Sequence, residues 1–258
     1  MTRSDIETIA NALLSERRLK RSALNRSSLP KLTGLAEAVD IARLCLEGAA
    51  PVAWKLGGTT QSTRQTFGVA VPYFGPLKAT EVHTSGSSVF KSEMIIPVVE
   101  PEIVIALNRD IEPISNPLST EAVLELIDWV SIGLELPDNC LGNPAEAGVQ
   151  WLVADRCAAG ALVVADPMAP NCLSELEAGD VKLQFGDKVV SNASAGNIIG
   201  GVLSAFSEAL EQFAVYGITL KKSQLFATGG LCPAAPLPET ACEVSATIGN
   251  RTVSFDWS

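Results

Sequence analysis

Ile95-Ile96-Pro97-Val98-Val99-Glu100-Pro101-Glu102-Ile103-Val104-Ile105-Ala106-Leu107 is the stretch whose reading decides the fold. It is apolar and β-branched on both sides of two glutamates, which reads as a largely buried strand. Strand side chains alternate between faces, so Glu100 and Glu102, two positions apart, point the same way. Side by side in an apolar sheet, two carboxylates repel each other and lose their hydration. A divalent cation between them relieves both costs, so a hard-metal site is the first functional expectation. The other reading is a pair of strand-edge glutamates facing water, and Pro101 inside the run points to an edge or a bulge. The pattern alone leaves both open.

Outward from this strand, the chain divides into a helical front and a strand-rich remainder. Ser4, with Glu7 three residues on, predicts a helix over 4–22 with Ile6, Ile9, Leu13 and Leu14 on its apolar stripe. A second helix is expected over 35–46. Together they make residues 1–50 a helical part packed on a main domain of residues 51–258. In that domain a short strand at 52–56 closes in Gly57-Gly58-Thr59-Thr60, and 68–75 reads as a turn-rich loop. A helix over 120–127 runs toward Gly133-Leu134-Glu135-Leu136-Pro137. Strand-like runs follow at 161–164, 181–185 and 189–190, then a helix over 203–215 ended by Gly217, and strands over 225–230, 241–248 and 251–255. Helices in front and many short strands behind predict an α+β, β-rich fold.

Length and composition narrow the function classes. The 258 residues suffice for one large domain with a full core. A hydrophobic content of 47% points to buried subunit surface and hence to a homo-oligomer. The formal net charge of -10 excludes the basic face that a nucleic-acid binder needs. Small anionic substrates stay open, because a bound metal and a lysine reverse the local field. No apolar run reaches the roughly 20 residues of a membrane span, and Met1-Thr2-Arg3-Ser4-Asp5-Ile6 shows no signal-peptide pattern. The six cysteines are scattered without a CxxC pair and are expected as reduced thiols. With His83 the only histidine, little material exists for a zinc–thiolate site. A cytoplasmic protein that engages no membrane is the expectation.

Glu100 and Glu102 need a further ligand, and Glu135 is the candidate, since it too is a carboxylate in apolar surroundings. Three carboxylates leave about three positions of an octahedral Mg²⁺ or Mn²⁺ for water and substrate. Lys55, at the end of an apolar strand, either neutralises a substrate carboxylate or enolate oxygen or simply snorkels. Thr228-Gly229-Gly230 either presents a hydroxyl and N–H groups to a ligand or makes an ordinary turn. His83 reads as a loop residue rather than a base, and Asp155-Arg156 as an ion pair or a structural turn. No GxSxG, P-loop or dinucleotide fingerprint is present.

Taken in order, these residues resemble the fumarylacetoacetate hydrolase superfamily, in its branch of 2-keto-4-pentenoate hydratases and 4-oxalocrotonate decarboxylases. The likeness runs from about residue 30 to the C-terminus. Its strongest parts are Lys55-Leu56-Gly57-Gly58-Thr59, Gly68-Val69-Ala70-Val71-Pro72-Tyr73-Phe74-Gly75-Pro76-Leu77 and Val99-Glu100-Pro101-Glu102-Ile103. Leu134-Glu135, Val153-Ala154-Asp155 and Ala227-Thr228-Gly229 follow in family order. The resemblance implies a β-rich fumarylacetoacetate-hydrolase-like fold with an N-terminal helical part, usually homo-oligomeric. It implies Mg²⁺ or Mn²⁺ on Glu100, Glu102 and Glu135, with Lys55, Thr228 and Gly229 beside a small anionic keto acid. It also implies a lyase, hydratase or decarboxylase, of the kind that serves aromatic compound degradation.

The chain also departs from the family pattern. Where the hydratases carry an aspartate that is a proposed acid/base, this chain has Tyr73, and the decarboxylases tend to lack the aspartate too. Tyr73 takes part in proton transfer only if its pKa is lowered, and otherwise packs. A Ser-Arg pair is replaced by Asp138-Asn139, and Ala-Asp-Asn by Ala154-Asp155-Arg156. The glycine-proline and tryptophan of the late helix are missing around Gly200–Leu210. A C–C hydrolase of the same superfamily and a non-catalytic metal-binding subunit are the competing readings.

Overall fold

The computed structural model describes residues 1–114 and 116–258. Helix α1 (Arg3–Arg18) starts two residues earlier than the Ser4 cap implies. The Thr2 hydroxyl accepts the Asp5 N–H and the Asp5 carboxylate accepts the Thr2 N–H, a reciprocal cap that the Ser4–Glu7 spacing only imitates. Helix α2 (Leu35–Leu44) buries Ala38, Val39, Ile41 and Ala42. Ile9, Leu13, Val39 and Ile41 belong to the same apolar core as the strands, so the helical front is packed directly on the main body.

Thirteen strands follow among the described residues. They are β1 (Ala53–Gly57), β2 (Tyr73–Leu77), β3 (Val82–Thr84), β4 (Ser88–Val89), β5 (Val98–Leu107), β6 (Ile127–Pro137) and β7 (Ala159–Val164), then β8 (Asp180–Phe185), β9 (Lys188–Ser194), β10 (Leu225–Ala227), β11 (Ala235–Pro236), β12 (Cys242–Ile248) and β13 (Arg251–Trp257). Helices α3 (Gln61–Phe67), α4 (Thr120–Leu124), α5 (Pro144–Ala147), α6 (Val149–Ala154), α7 (Leu173–Glu177) and α8 (Val202–Val215) join them. One sheet runs β2-β1-β10-β5-β6-β7-β3, with β11 also on β5, and the second runs β4-β13-β12-β8-β9. The expected α+β, β-rich fold is what the chain adopts.

Several local expectations are corrected. Residues 68–75 are not all loop, because β2 begins at Tyr73 and pairs antiparallel with β1. The helix near 120 stops at Leu124, since the β-branched and aromatic run Ile127-Asp128-Trp129-Val130 goes to strand β6 instead. β5 starts at Val98, after Pro97, rather than at Ile95. His83 lies in the short strand β3, not in a loop.

The register explains how the site is assembled. Lys55 pairs with Ala227, Ala227 with Val104, and Val104 with Ser131. Glu100 pairs with Glu135 directly across β5 and β6. Period-two alternation then puts Lys55, Glu100, Glu102 and Glu135 on one face. The same face carries a small apolar cluster of Ala53, Leu77, Val104, Ala159, Leu162, Val164 and Ala227. β2 touches β7 although they lie far apart in the strand order, so the sheet curls and encloses this face. Close packing there demands small residues: a Cβ on Gly133 would sit 2.7 Å from Val104 Cγ2. The opposite face, with Trp54, Phe226, Ile105, Ile132 and Leu134, joins the main core with α8 and the second sheet.

Pro101 is neither at a sheet edge nor in a bulge. It pairs in register with Leu134, and its carbonyl accepts the Leu231 N–H at 2.9 Å. β10 reaches β5 only at Val104 and beyond, and β11 only at Val98 and Val99. Between them a loop replaces the neighbouring strand, so the missing proline donor faces a gap in the ladder.

Candidate active site

Glu102 and Glu135 are completely buried, at 0% exposure, and Glu100 is half-buried. One carboxylate oxygen from each lies within 4.8 Å of the others. Each buried glutamate is held by one oxygen only. Glu102 Oε2 accepts the Gly229 N–H at 2.7 Å, and Glu135 Oε2 accepts Lys55 Nζ at 2.9 Å. The second oxygen of each, Oε1, is buried with no hydrogen-bond partner. Two orphaned carboxylate oxygens in a protein interior are costly unless something cationic meets them. An all-oxygen donor set of three neighbouring carboxylates, two of which keep a free oxygen, fits a hard divalent cation. The residues present fit the group.

The electrostatics carry the same message. Burial raises the Glu102 carboxyl well above the ordinary carboxylate range, and Glu135 and Glu100 raise it further. Burial likewise lifts Glu135 to about 7, against the pull of Lys55, and burial lifts Glu100. For Lys55 burial works against the charge, but Glu135 and then Glu100 outweigh it and hold the ammonium above its usual value. The site therefore contains three reluctant anions and one stable cation.

Gly229 and Thr228, expected beside the substrate, are placed under the glutamates. Thr228 is fully buried, and its hydroxyl donates to Ile103 O at 2.8 Å. Gly229 has φ +121°, and a Cβ there would sit 2.0 Å from Thr59 Oγ1. Only glycine fits this position, and its N–H reaches Glu102 as a result. Gly229 also lines the cavity over the site, whereas Thr228 does not. His83 lies in the wall of a different cavity.

Tyr73 occupies a flat slot. A Cβ on Gly57 would fall 2.2 Å from Tyr73 Cε2, so the ring lies against the glycine backbone. Phe67 meets it edge-on with ring centroids 5.8 Å apart. Burial, then Cys157 and Glu100, push its phenol up, the opposite of what a base requires.

The pattern gave no sign of the turn packed against β2. Arg156, Cys157 and Ala158 form three consecutive non-glycine residues at φ 54°, 58° and 56°. Such left-handed backbone costs roughly 1–2 kcal/mol per residue. Arg17 on α1 clamps it from outside, donating to Asp155 Oδ1 at 2.5 Å, Asp155 O at 3.1 Å and Asp138 O at 2.8 Å. Arg156 donates to Glu81 at 2.7 Å, and the Asp138 N–H to Ala158 O at 2.7 Å. Gly75 makes room, since a Cβ would come within 1.9 Å of the Arg156 carbonyl oxygen. Cys157 and Ala158 thereby reach the cavity wall. Asp155 and Arg156 do not pair with each other: Asp155 is bound by Arg17 and Arg156 by Glu81, and the two open the turn. Asp138 holds the entry to β5 by accepting the Ile95 and Ile96 N–H groups, each at 2.8 Å. A cavity of about 840 Å³ opens over Lys55, Glu100 and Glu102.

No family model matches the chain. It is 25% identical over 240 residues to a 4-oxalocrotonate decarboxylase from Pseudomonas sp, covering 88% of this chain and 91% of that protein. It is 26% identical over 187 residues to 2-keto-4-pentenoate hydratase 2 of Dechloromonas aromatica (strain RCB), covering 72% of this chain and 70% of the relative. In three dimensions it matches 4-oxalocrotonate decarboxylase from Pseudomonas putida G7, complexed with magnesium and adipate, with TM-score 0.89. That match has 20% identity and covers 100% of this chain and 99% of the other. A fumarylacetoacetate hydrolase family protein from Yersinia pestis CO92 matches with TM-score 0.60 at 13% identity, covering 80% of this chain and 92% of the other.

Proposed function

We propose that this chain, a relative of the hydratases and decarboxylases of the fumarylacetoacetate hydrolase superfamily, is a divalent-metal-dependent lyase. Its substrate is a small 2-keto acid or 2-hydroxydienoate and its reaction passes through an enolate, with hydration of the 2-keto-4-pentenoate type as the main reading. The observation that carries this is the pair of buried, partnerless oxygens on Glu102 and Glu135, in a cluster of three carboxylates with Glu100 at an open cavity. A bound Mg²⁺ or Mn²⁺ supplies Lewis acidity for the keto-acid head and for charge growing on its C2 oxygen.

The chain's own residues supply the remainder. Lys55 Nζ is fixed by Glu135 and retains two further N–H donors at the cavity floor. These pair with the substrate carboxylate or with the developing C2 oxyanion. Gly229 keeps Glu102 aimed by binding its other oxygen. The buried sheet face excludes water from behind the glutamates. Tyr73 forms a rigid wall beside Lys55, with packing as its main role. Six free cysteines and a hydrophobic content of 47% support a cytoplasmic homo-oligomer.

One observation favours decarboxylation as a second reading: Tyr73 stands where the hydratases carry their aspartate. Incubation of the purified protein with Mg²⁺ or Mn²⁺ and a 2-hydroxydienoate separates the outcomes. Loss of diene absorbance without CO₂ marks the hydratase, and CO₂ release from an oxalocrotonate marks the decarboxylase. Glu102→Gln is expected to abolish metal-dependent turnover while leaving the fold. Full activity of that variant after chelation, with no metal added, would sink the mechanism.

A further inference from the structure

We propose that the cavity selects a 2-keto acid whose tail is long and uncharged, an inference that rests on the keto-acid reading above. A volume of about 840 Å³ exceeds what a keto-acid head beside the glutamates fills, and is the size of a site for a much larger ligand. Among the described residues, Lys55 is the only cationic side chain in the wall. It is engaged at the head end by Glu135. Arg64, on the helix that forms part of the wall, turns away, with Nε on Gly58 O at 2.8 Å and a terminal nitrogen on Glu208 at 2.5 Å.

Away from the glutamates the wall is apolar or neutral. Phe67 continues the aromatic surface begun by Tyr73, and Pro144 and Leu152 add aliphatic surface. The hydroxyls of Thr60 and Thr63 lie 3.0 Å apart and satisfy each other. A tail carboxylate carried into this space sheds hydration and meets no counter-charge, which is unfavourable. An alkyl or aryl tail meets surface of its own kind. Of the two lyase outcomes, the cavity thus favours water addition to a monocarboxylate over CO₂ loss from a dicarboxylate.

Calorimetric titration of the full chain in Mg²⁺ tests this with oxalate, 2-oxohexanoate and 2-oxohexanedioate. The last two share one carbon chain and differ by a terminal methyl or carboxylate. Oxalate is expected to bind, and the monocarboxylate to bind at least about tenfold tighter than the dicarboxylate. Ser62→Arg, at an exposed wall position of α3, is expected to narrow that preference about threefold or more without changing oxalate affinity. Equal or tighter binding of the dicarboxylate, or a preference indifferent to Ser62→Arg, overturns the tail inference while the keto-acid reading stands. Failure of oxalate to bind in Mg²⁺ overturns the keto-acid reading, and the tail inference with it.

Discussion

Lys55 and Tyr73 face the same cavity, but their surroundings give them different tasks. Lys55 is a fixed cation held at 2.9 Å from a fully buried carboxylate. Its replacement by Met keeps the stem and removes the charge, and is expected to lower kcat by about 100- to 1,000-fold. Tyr73 instead fills the slot over Gly57 and Gly58 against Phe67. Tyr73→Phe keeps that ring, so kcat/KM is expected to stay within about tenfold of the parent. Steady-state kinetics on the two variants decide between these assignments. A Tyr73→Phe enzyme as impaired as Lys55→Met would make the hydroxyl a participant in proton transfer. That the carboxylates and the lysine sit within apolar strands was legible in the sequence, because charged residues there are anomalous; the pattern left their roles open, and only the family resemblance tipped them toward a metal and a substrate. Cys157 was not legible, because a single thiol carries no spacing signal and reaches the cavity only through its turn.

At the scale of elements, the left-handed turn at 156–158 is the strained part, and α1 restrains it. Arg17 and Asp155 are both nearly enclosed, with side chains 12% and 1% exposed. Arg17→Met removes the clamp and strands a buried carboxylate, with an expected loss of about 3–5 kcal/mol. Urea denaturation measures it as a lowered midpoint at unchanged slope. A loss below about 1 kcal/mol would mean that the turn needs no clamp. The long strand announced itself by its apolar, β-branched run, and the N-terminal helices and helix α8 by their length. The short elements did not: α3, α5 and α6 span seven, four and six residues, too few to show a helical period. β2 hid behind Gly and Pro residues, whose positions answer to tertiary contacts, Gly75 to the Arg156 carbonyl above all. Pro101 misled in the same way, because its ladder gap is made by residues more than a hundred positions away.

For the whole molecule, the proposed metal site on the glutamate cluster would couple metal, pH and stability. Each of the three carboxyls is raised above its ordinary value near 4.5, first by burial, and Glu135 reaches about 7. Between these values the native chain binds more protons than the unfolded one. Stability then falls as pH rises, since it rises with pH only where the unfolded state binds more protons. Without metal, the cluster's contribution is therefore least unfavourable below about pH 4.5 and worsens as pH climbs through about 7. A divalent cation held by these residues would reverse this, because it would need the ionised carboxylates in place of the protonated ones. Thermal melts with chelator or with Mg²⁺ should thus diverge as pH increases, with a small difference near pH 5 and a larger one near pH 8. Glu102→Gln removes one of the repelling charges, and is expected to flatten both the fall of the chelated melt and the response to Mg²⁺. A metal-induced shift of equal size at both pH values would mean that the cation binds somewhere other than Glu100, Glu102 and Glu135.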